Sequence, residues 1–256
     1  KILAENKNFF RNNMVSSQLR SSITDMLLDA GISSEEMEVV PVDGGANNKV
    51  FTVHTKREKY LAKIYYSNPS DMRNRLNAEY SFLEYAKNIG LECVPKPISP
   101  NLKKNMGLYE FVKGRKLTSS ELSLQHINQA ASFVRALNER PDRGKSLQTA
   151  SEGCFSIDQH CLLTDMRITK LLGLPVGSEI DRQALFFVGK IDSAWKKLKD
   201  TIVARNGSIS IQLDSADRCI SPSDFGFHNA LLRDTGEICF IDFEYAGWDD
   251  PAKMIG

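Results

Sequence analysis

One polar spacing, set inside an apolar hairpin, constrains this chain more than anything else in it. It lies in the stretch Cys219–Trp248, CISPSDFGFHNALLRDTGEICFIDFEYAGW. Asp224 is followed five residues later by Asn229, and thirteen after that by Asp242. Between Asn229 and Asp242 the apolar runs Ala-Leu-Leu and Ile-Cys-Phe-Ile flank Arg233-Asp234-Thr235-Gly236, a turn in which Gly takes positive φ at no steric cost. Such a hairpin brings Asn229 and Asp242 to its base, beside Asp224. Alone, Asp224 and Asn229 would be ordinary loop caps. With Asp242 in an apolar strand, the three become oxygen ligands of the kind Mg²⁺ accepts alongside substrate phosphates.

The string SPSDFGFHNALL…CFIDFEYAGWDDP resembles the aminoglycoside phosphotransferase and choline kinase superfamily, whose pattern runs HGDxxxxN and then IDFEYAG. It departs in one place: Ser221-Pro222-Ser223 stands where the family has a His-Gly pair before the Asp. The resemblance implies an α+β, protein-kinase-like fold of two lobes. Residues 1–112 would form a nucleotide-binding lobe, an antiparallel sheet with one main helix. Residues 113–256 would form a largely helical lobe carrying the catalytic-loop hairpin. In the family's scheme Asp224 is catalytic, Asn229 and Asp242 hold Mg²⁺, and ATP or GTP is the co-substrate.

Earlier segments fit this order. Leu19, Ile23, Met26, Leu27 and Ala30 recur at helical spacing over residues 16–30, and Gly31 marks a stop. MEVVPV and KVFTVHT read as strands around Asp43-Gly44-Gly45-Ala46-Asn47-Asn48. Gly44, Gly45, Asn47 and Asn48 permit positive φ and close approach of backbone to a phosphate, and GGANN is similar to the family's GGxxN loop. The next strand, KYLAKIYY, alternates so that Leu61, Lys63 and Tyr65 share a face. Lys63 then matches the kinase lysine that meets the nucleotide phosphates. Its implied partner lies on a helix expected over residues 69–88, opened by Pro69, where Glu79 shares a stripe with Leu76, Tyr80, Leu83 and Ala86 while Glu84 points away. MGLYEFVKG resembles the inter-lobe hinge, and by resemblance the carbonyl of Glu110 and the amide of Val112 meet the base. Further on, Leu122, Ile127, Ala130, Ala131, Val134 and Leu137 make an apolar stripe, and two more helical stretches follow Gly153, their stripes read as packing surfaces.

Composition sets outer limits. The 256 residues are 41% hydrophobic and 25% charged, ordinary for a globular chain with a sizeable core. A net charge of +1 gives no global field to draw in nucleic acid or an acidic membrane. No apolar run approaches membrane-span length. Five scattered cysteines without a CxxC pair read as reduced thiols of a cytoplasmic protein. Cys154, His160 and Cys161 lack zinc spacing, and Asn206-Gly207-Ser208 reads as a turn. The first residue is not Met, and Asp249-Asp250-Pro251 reads as the start of a helix, so further helices are expected beyond residue 256.

The functional expectation is a phosphotransferase moving the γ-phosphate of ATP or GTP to a hydroxyl of a small molecule such as an amino sugar, sugar or amino alcohol. Its partners would be nucleotide and acceptor, with neither nucleic acid nor membrane. Glu244, Asp249 and Asp250 suggest a cationic acceptor, although Asp249 and Asp250 equally suit a helix N-terminus. A protein kinase fits less well: no Arg precedes Asp224, Glu244 replaces the Gly of DFG, and no APE follows Asp242. The alternative is a catalytically silent nucleotide-binding or scaffold module of the same fold.

Overall fold

The computed structural model describes residues 15–42, 48–68, 71 and 73–255. The chain packs as two compact units, Lys1–Ser151 with Ile220–Gly247, and Glu152–Cys219 with Trp248–Gly256.

The first unit opens with helix α1, Ser17–Asp29, as its periodicity predicts; Ser16 caps it, its hydroxyl accepting from the Leu19 amide at 3.2 Å. Strands β1 (Glu38–Val42), β2 (Lys49–His54), β3 (Lys59–Ile64), β4 (Pro97–Asn101) and β5 (Met106–Glu110) form one antiparallel sheet in the order β1-β2-β3-β5-β4. Alternation along the strands divides it into two faces. Phe51, Val53, Tyr60, Ala62 and Leu108 pack with Leu19, Ile23, Met26 and Leu27 of α1 into a buried core. The opposite face, with Val50, Leu61, Lys63 and Tyr109, is left to line a cavity.

Helix α2 spans Arg75–Asn88, starting later than the expected residue 69. Asn74 sets the start: its side chain accepts from the Asn77 amide at 3.0 Å and satisfies a first-turn donor. Pro69 itself lies outside the described residues. The stripe keeps its expected phase, with Leu76, Glu79, Leu83 and Ala86 buried and Glu84 exposed.

Helix α3, Leu124–Leu137, buries only part of the expected stripe. Leu137 is buried and Ala130 and Val134 are half-buried, but the inward face is turned towards His126 and Phe133. His126, Phe133 and Leu137 are buried, whereas Ile127 is 53% exposed. Phe133 decides the phase, since its ring stacks on Phe225 and Phe240 at centroid distances of 5.5 and 4.9 Å. The unit ends in a three-stranded sheet of β6 (Arg115–Lys116), β8 (Ala230–Leu232) and β9 (Ile238–Phe240), where β8 and β9 are the expected hairpin. Its turn closes with the Gly236 amide on the Arg233 carbonyl at 3.0 Å, and Gly236 has φ +83°. Strand β7, Cys219–Ser221, leads into the loop before it.

The second unit is built on helices α4 (Ile157–Leu172) and α5 (Glu179–Asn206), which pack on one another. The expected packing stripe of α5 is only half realised: none of its residues is fully buried, and Ile180, Phe186 and Phe187 are exposed. A short helix α6, Pro251–Ile255, follows Asp250, whose carboxylate accepts from the Ala252 amide at 2.8 Å. All five cysteines are free. Among the described residues no helix is long and apolar enough to cross a membrane.

Candidate active site

The first unit encloses a cavity of about 490 Å³, within the roughly 300–1,000 Å³ of small-molecule sites. One end is apolar, lined by Leu61, Phe111 and Ile241, with Glu110 and Val112 alongside. The other end carries Lys63, Glu79, Asp224, Asp242 and Glu244. An apolar slot leading to a cluster of charges suits a ligand with a flat base at one end and phosphates at the other.

Lys63 organises the polar end. It sits in the middle of β3, opposite Val50 and Gly107, and its side chain is 7% exposed. The ammonium donates to Glu79 Oε2 at 2.7 Å and pairs with Asp242 Oδ1. Burial opposes the charge, but the Glu79 and Asp242 carboxylates outweigh it and hold the ammonium above the ordinary lysine range. Glu79 is pushed up by burial against the pull of Lys63, with Asp242 adding to the rise. Its Oε2 also accepts from the Tyr65 hydroxyl at 2.6 Å, and its Oε1 from the Phe243 amide at 3.3 Å. Tyr65 in turn meets the Tyr109 hydroxyl at 2.6 Å.

Asp242 follows β9 by two residues and has φ +71°, a left-handed conformation that costs a non-glycine residue of order 1–3 kcal/mol. The strain reverses the chain so that its carboxylate enters the cavity while Phe243 turns inward to stack on Phe82 of α2 at 4.6 Å. Asp224 is placed by the same device. Ser223 has φ +61°, and Phe225 is drawn into the Phe133–Phe240 stack, leaving the Asp224 side chain 56% exposed. Asn229 joins the two: its Nδ2 donates to the Asp224 carbonyl at 2.9 Å, and its own carbonyl accepts from the Ile241 amide at 2.9 Å. Hairpin and loop thus tie Asp224, Asn229 and Asp242 together, with Asp224 and Asp242 lining the cavity.

The loop that lacks the family's His-Gly pair is braced otherwise. Ser221 Oγ accepts from the Ser223 amide at 3.0 Å. Asn138, at the C-terminus of α3, grips Ile220 through both backbone groups at 2.8 and 3.0 Å. Sequence reasoning missed Asn138, because an Asn after a helix looks like a plain cap. It also missed Arg75, a buried side chain that donates to Glu244 Oε1 at 2.8 Å and to Asp71 Oδ2 at 2.9 Å. Arg73 and Arg75 together hold the Asp71 carboxyl well below the usual range.

Arg75 changes the reading of the acidic residues beyond Asp242. Glu244 is buried and already engaged by Arg75 and by Asn48 Nδ2, so its charge is balanced from within. Asp249 pairs with Lys253 at 3.0 Å, and Asp250 with His160 at 3.0 Å. Glu244 and Asp249 are therefore matched by cations of the chain itself. Asn48 lines the cavity, but its amide is committed to Glu244 and to the Tyr66 backbone. Gly44, Gly45 and Asn47 lie outside the described residues.

Comparison with known proteins bears on the family and the fold. The model of the family described as "Phosphotransferase enzyme family" matches residues 38–253. The solved choline kinase of Cryptosporidium parvum Iowa II superposes with a TM-score of 0.61 at 16% identity, covering 91% of this chain and 67% of that one. Spectinomycin phosphotransferase, solved with ADP and spectinomycin, gives 0.58 at 15% identity, covering 90% and 70%. A thermostable mutant of an aminoglycoside phosphotransferase, solved with ADP and hygromycin B, gives 0.58 at 13% identity, covering 91% and 74%. No curated protein sequence matches the chain. At these identities the structures speak for the fold, which is the kinase-like one. The family match spans most of the sequence, and the chain belongs to the phosphotransferase enzyme family.

Proposed function

We propose that this protein transfers the γ-phosphate of a magnesium-bound nucleoside triphosphate to the hydroxyl of a small molecule. The observation that carries the reading is the buried Lys63 ammonium, held between Glu79 of α2 and Asp242 of the strained turn, at the polar end of the cavity. A kinase needs a cation fixed there, because phosphoryl transfer leaves the protein little covalent chemistry beyond positioning and charge neutralisation.

The residues present fit a magnesium ion. Asp224, Asp242, Glu79 and Glu244 outnumber Lys63 and Arg75 at this end, an excess of negative charge that suits a divalent cation. Asp242 and the side-chain oxygen of Asn229 are hard ligands, and two of them are enough for an ion that binds mostly through phosphates and water. Bound there, magnesium would neutralise charge on the transferring phosphoryl group. Lys63 would hold the phosphates, and Asp224 would take or orient the acceptor's proton. The backbone of Glu110–Val112 would meet the base, ATP or GTP. The remaining parts of the proposal are Gly44, Gly45, Asn47 and Asn48 as the phosphate loop, a lobe division at residues 112 and 113, and a cytoplasmic setting. The acceptor is an amino alcohol, a sugar or an amino sugar. The silent-module alternative has less support, since an inert domain has no need for a buried lysine and a strained Asp242.

Calorimetry of MgATP binding tests the reading. The protein is expected to bind MgATP, and Asp242→Asn to lose that binding while staying folded. Equal affinity in both would remove Asp242 from the site.

A further inference from the structure

We infer that His228 is a positioning residue for Asp224, and that position 226 is glycine so that the imidazole can reach it. The inference rests on Asp224 being the carboxylate that meets the acceptor. His228 Nε2 lies 3.3 Å from Asp224 Oδ1 across the single turn Phe227–Asn229. A Cβ on Gly226 would stand 2.8 Å from the ring's Nδ1 and 2.9 Å from Cε1, so the imidazole occupies the space a side chain at 226 would need. The His228 carbonyl accepts from Lys116 Nζ, which ties this turn to β6. The ring itself touches Asp224, while the Lys116 bond holds the backbone beneath it.

What the ring does follows from the exposure of Asp224. A half-exposed carboxylate on a loop samples several rotamers, and transfer needs one oxygen aimed at the acceptor hydroxyl. His228 against Oδ1 leaves Oδ2 for that hydroxyl. The family pattern puts a His-Gly pair before the Asp; this chain has Ser221-Pro222-Ser223 there and brings an imidazole from the other side of the loop. An exposed contact of this kind adds little to stability, so its effect belongs in turnover.

Hydrolysis of MgATP, with water as acceptor and ADP release as readout, tests this in the intact protein. Rates are taken per folded molecule. His228→Ala is expected to lower kcat by ~10-fold, the scale of a misplaced catalytic group, with KM for MgATP unchanged. His228→Gln keeps a donor at the Nε2 position and is expected to recover kcat to within about 2-fold. Gly226→Ala is expected to reproduce the loss, because its Cβ displaces the ring. Wild-type kcat in His228→Ala, or a Gln variant as slow as the Ala variant, would overturn the inference. Asp224→Asn run alongside separates the two claims. If it is slow while His228→Ala is not, Asp224 keeps its role and only His228 loses its own. If Asp224→Asn hydrolyses MgATP at the wild-type rate, the catalytic reading fails and takes this one with it.

Discussion

The ammonium of Lys63 and the carboxylate of Glu79 meet at 2.7 Å with both side chains only 7% exposed, and this pair fastens β3 to α2. Because Glu79 also accepts from the Phe243 amide, the same carboxylate registers α2 against the residue after Asp242. Removing Lys63 therefore affects folding and chemistry together. Lys63→Met is expected to destabilise the protein by about 3 kcal/mol, as a buried carboxylate loses its partner, and to lower MgATP turnover by ~10²-fold or more. Urea titration and a coupled ADP assay read the two effects. A variant as stable as wild type would mean that the pair is not closed in solution.

The pH dependence of that stabilisation has a definite sign. Lys63's folded value is raised above the unfolded one of about 10.4. Its contribution is therefore complete below that pH and is lost as the pH rises through the folded value. The stability difference between wild type and Lys63→Met should stay flat from about pH 8 to about pH 10 and shrink only above that. Denaturant titrations across this range would contradict the assignment if the difference instead grew with alkalinity.

Asp224 makes the opposite case, an exposed side chain whose loss the fold should hardly register. Asp224→Asn is expected to stay within about 0.5 kcal/mol of wild-type stability and to bind MgATP normally. Transfer to an acceptor should fall by ~10²-fold, the scale of general base catalysis. Parallel calorimetry and turnover measurements, with choline, ethanolamine and amino sugars as trial acceptors, provide the check. Full turnover would move the base elsewhere.

Arg75 should prove the costliest surrounding residue to change. Arg75→Met leaves the buried Glu244 with only Asn48 and the more distant Lys63 ammonium at 3.9 Å, and is expected to destabilise by about 3 kcal/mol. Arg75→Lys should recover little of this, because a single ammonium cannot fork between Asp71 and Glu244 as a guanidinium does. Chemical denaturation of both variants decides it; full recovery by Lys would show that charge alone suffices.

The β8–β9 hairpin was legible because its signal is local: an apolar pair of runs and a Gly-containing turn. Glu79 was legible for a similar reason, since helical phase places it beside Leu76 and Leu83. The third strand, Arg115–Lys116, could not be read, because two exposed residues carry no period. Arg75 and Glu244 stand 169 residues apart, and nothing in either neighbourhood advertises the other. In α3 the aliphatic stripe misled in part about orientation, because one aromatic ring, Phe133, outweighs several small apolar side chains when it stacks on Phe225 and Phe240. The late start of α2 follows from Asn74, whose cap competes with the more conspicuous Pro69.

The Tyr65–Tyr109 pair sets a term for inhibitor chemistry. Tyr65 is held protonated by burial and by the neighbouring Glu79, and its hydroxyl links Glu79 to Tyr109 behind the lysine. Gly107 has no room for a Cβ, because the Tyr109 ring lies over it. A compound that grows past Lys63 thus meets the Tyr109 phenol, which lines the cavity and is hydrogen-bonded to the buried Tyr65. Selectivity over kinases with an apolar recess at that depth would come from a polar group able to hydrogen-bond that phenol.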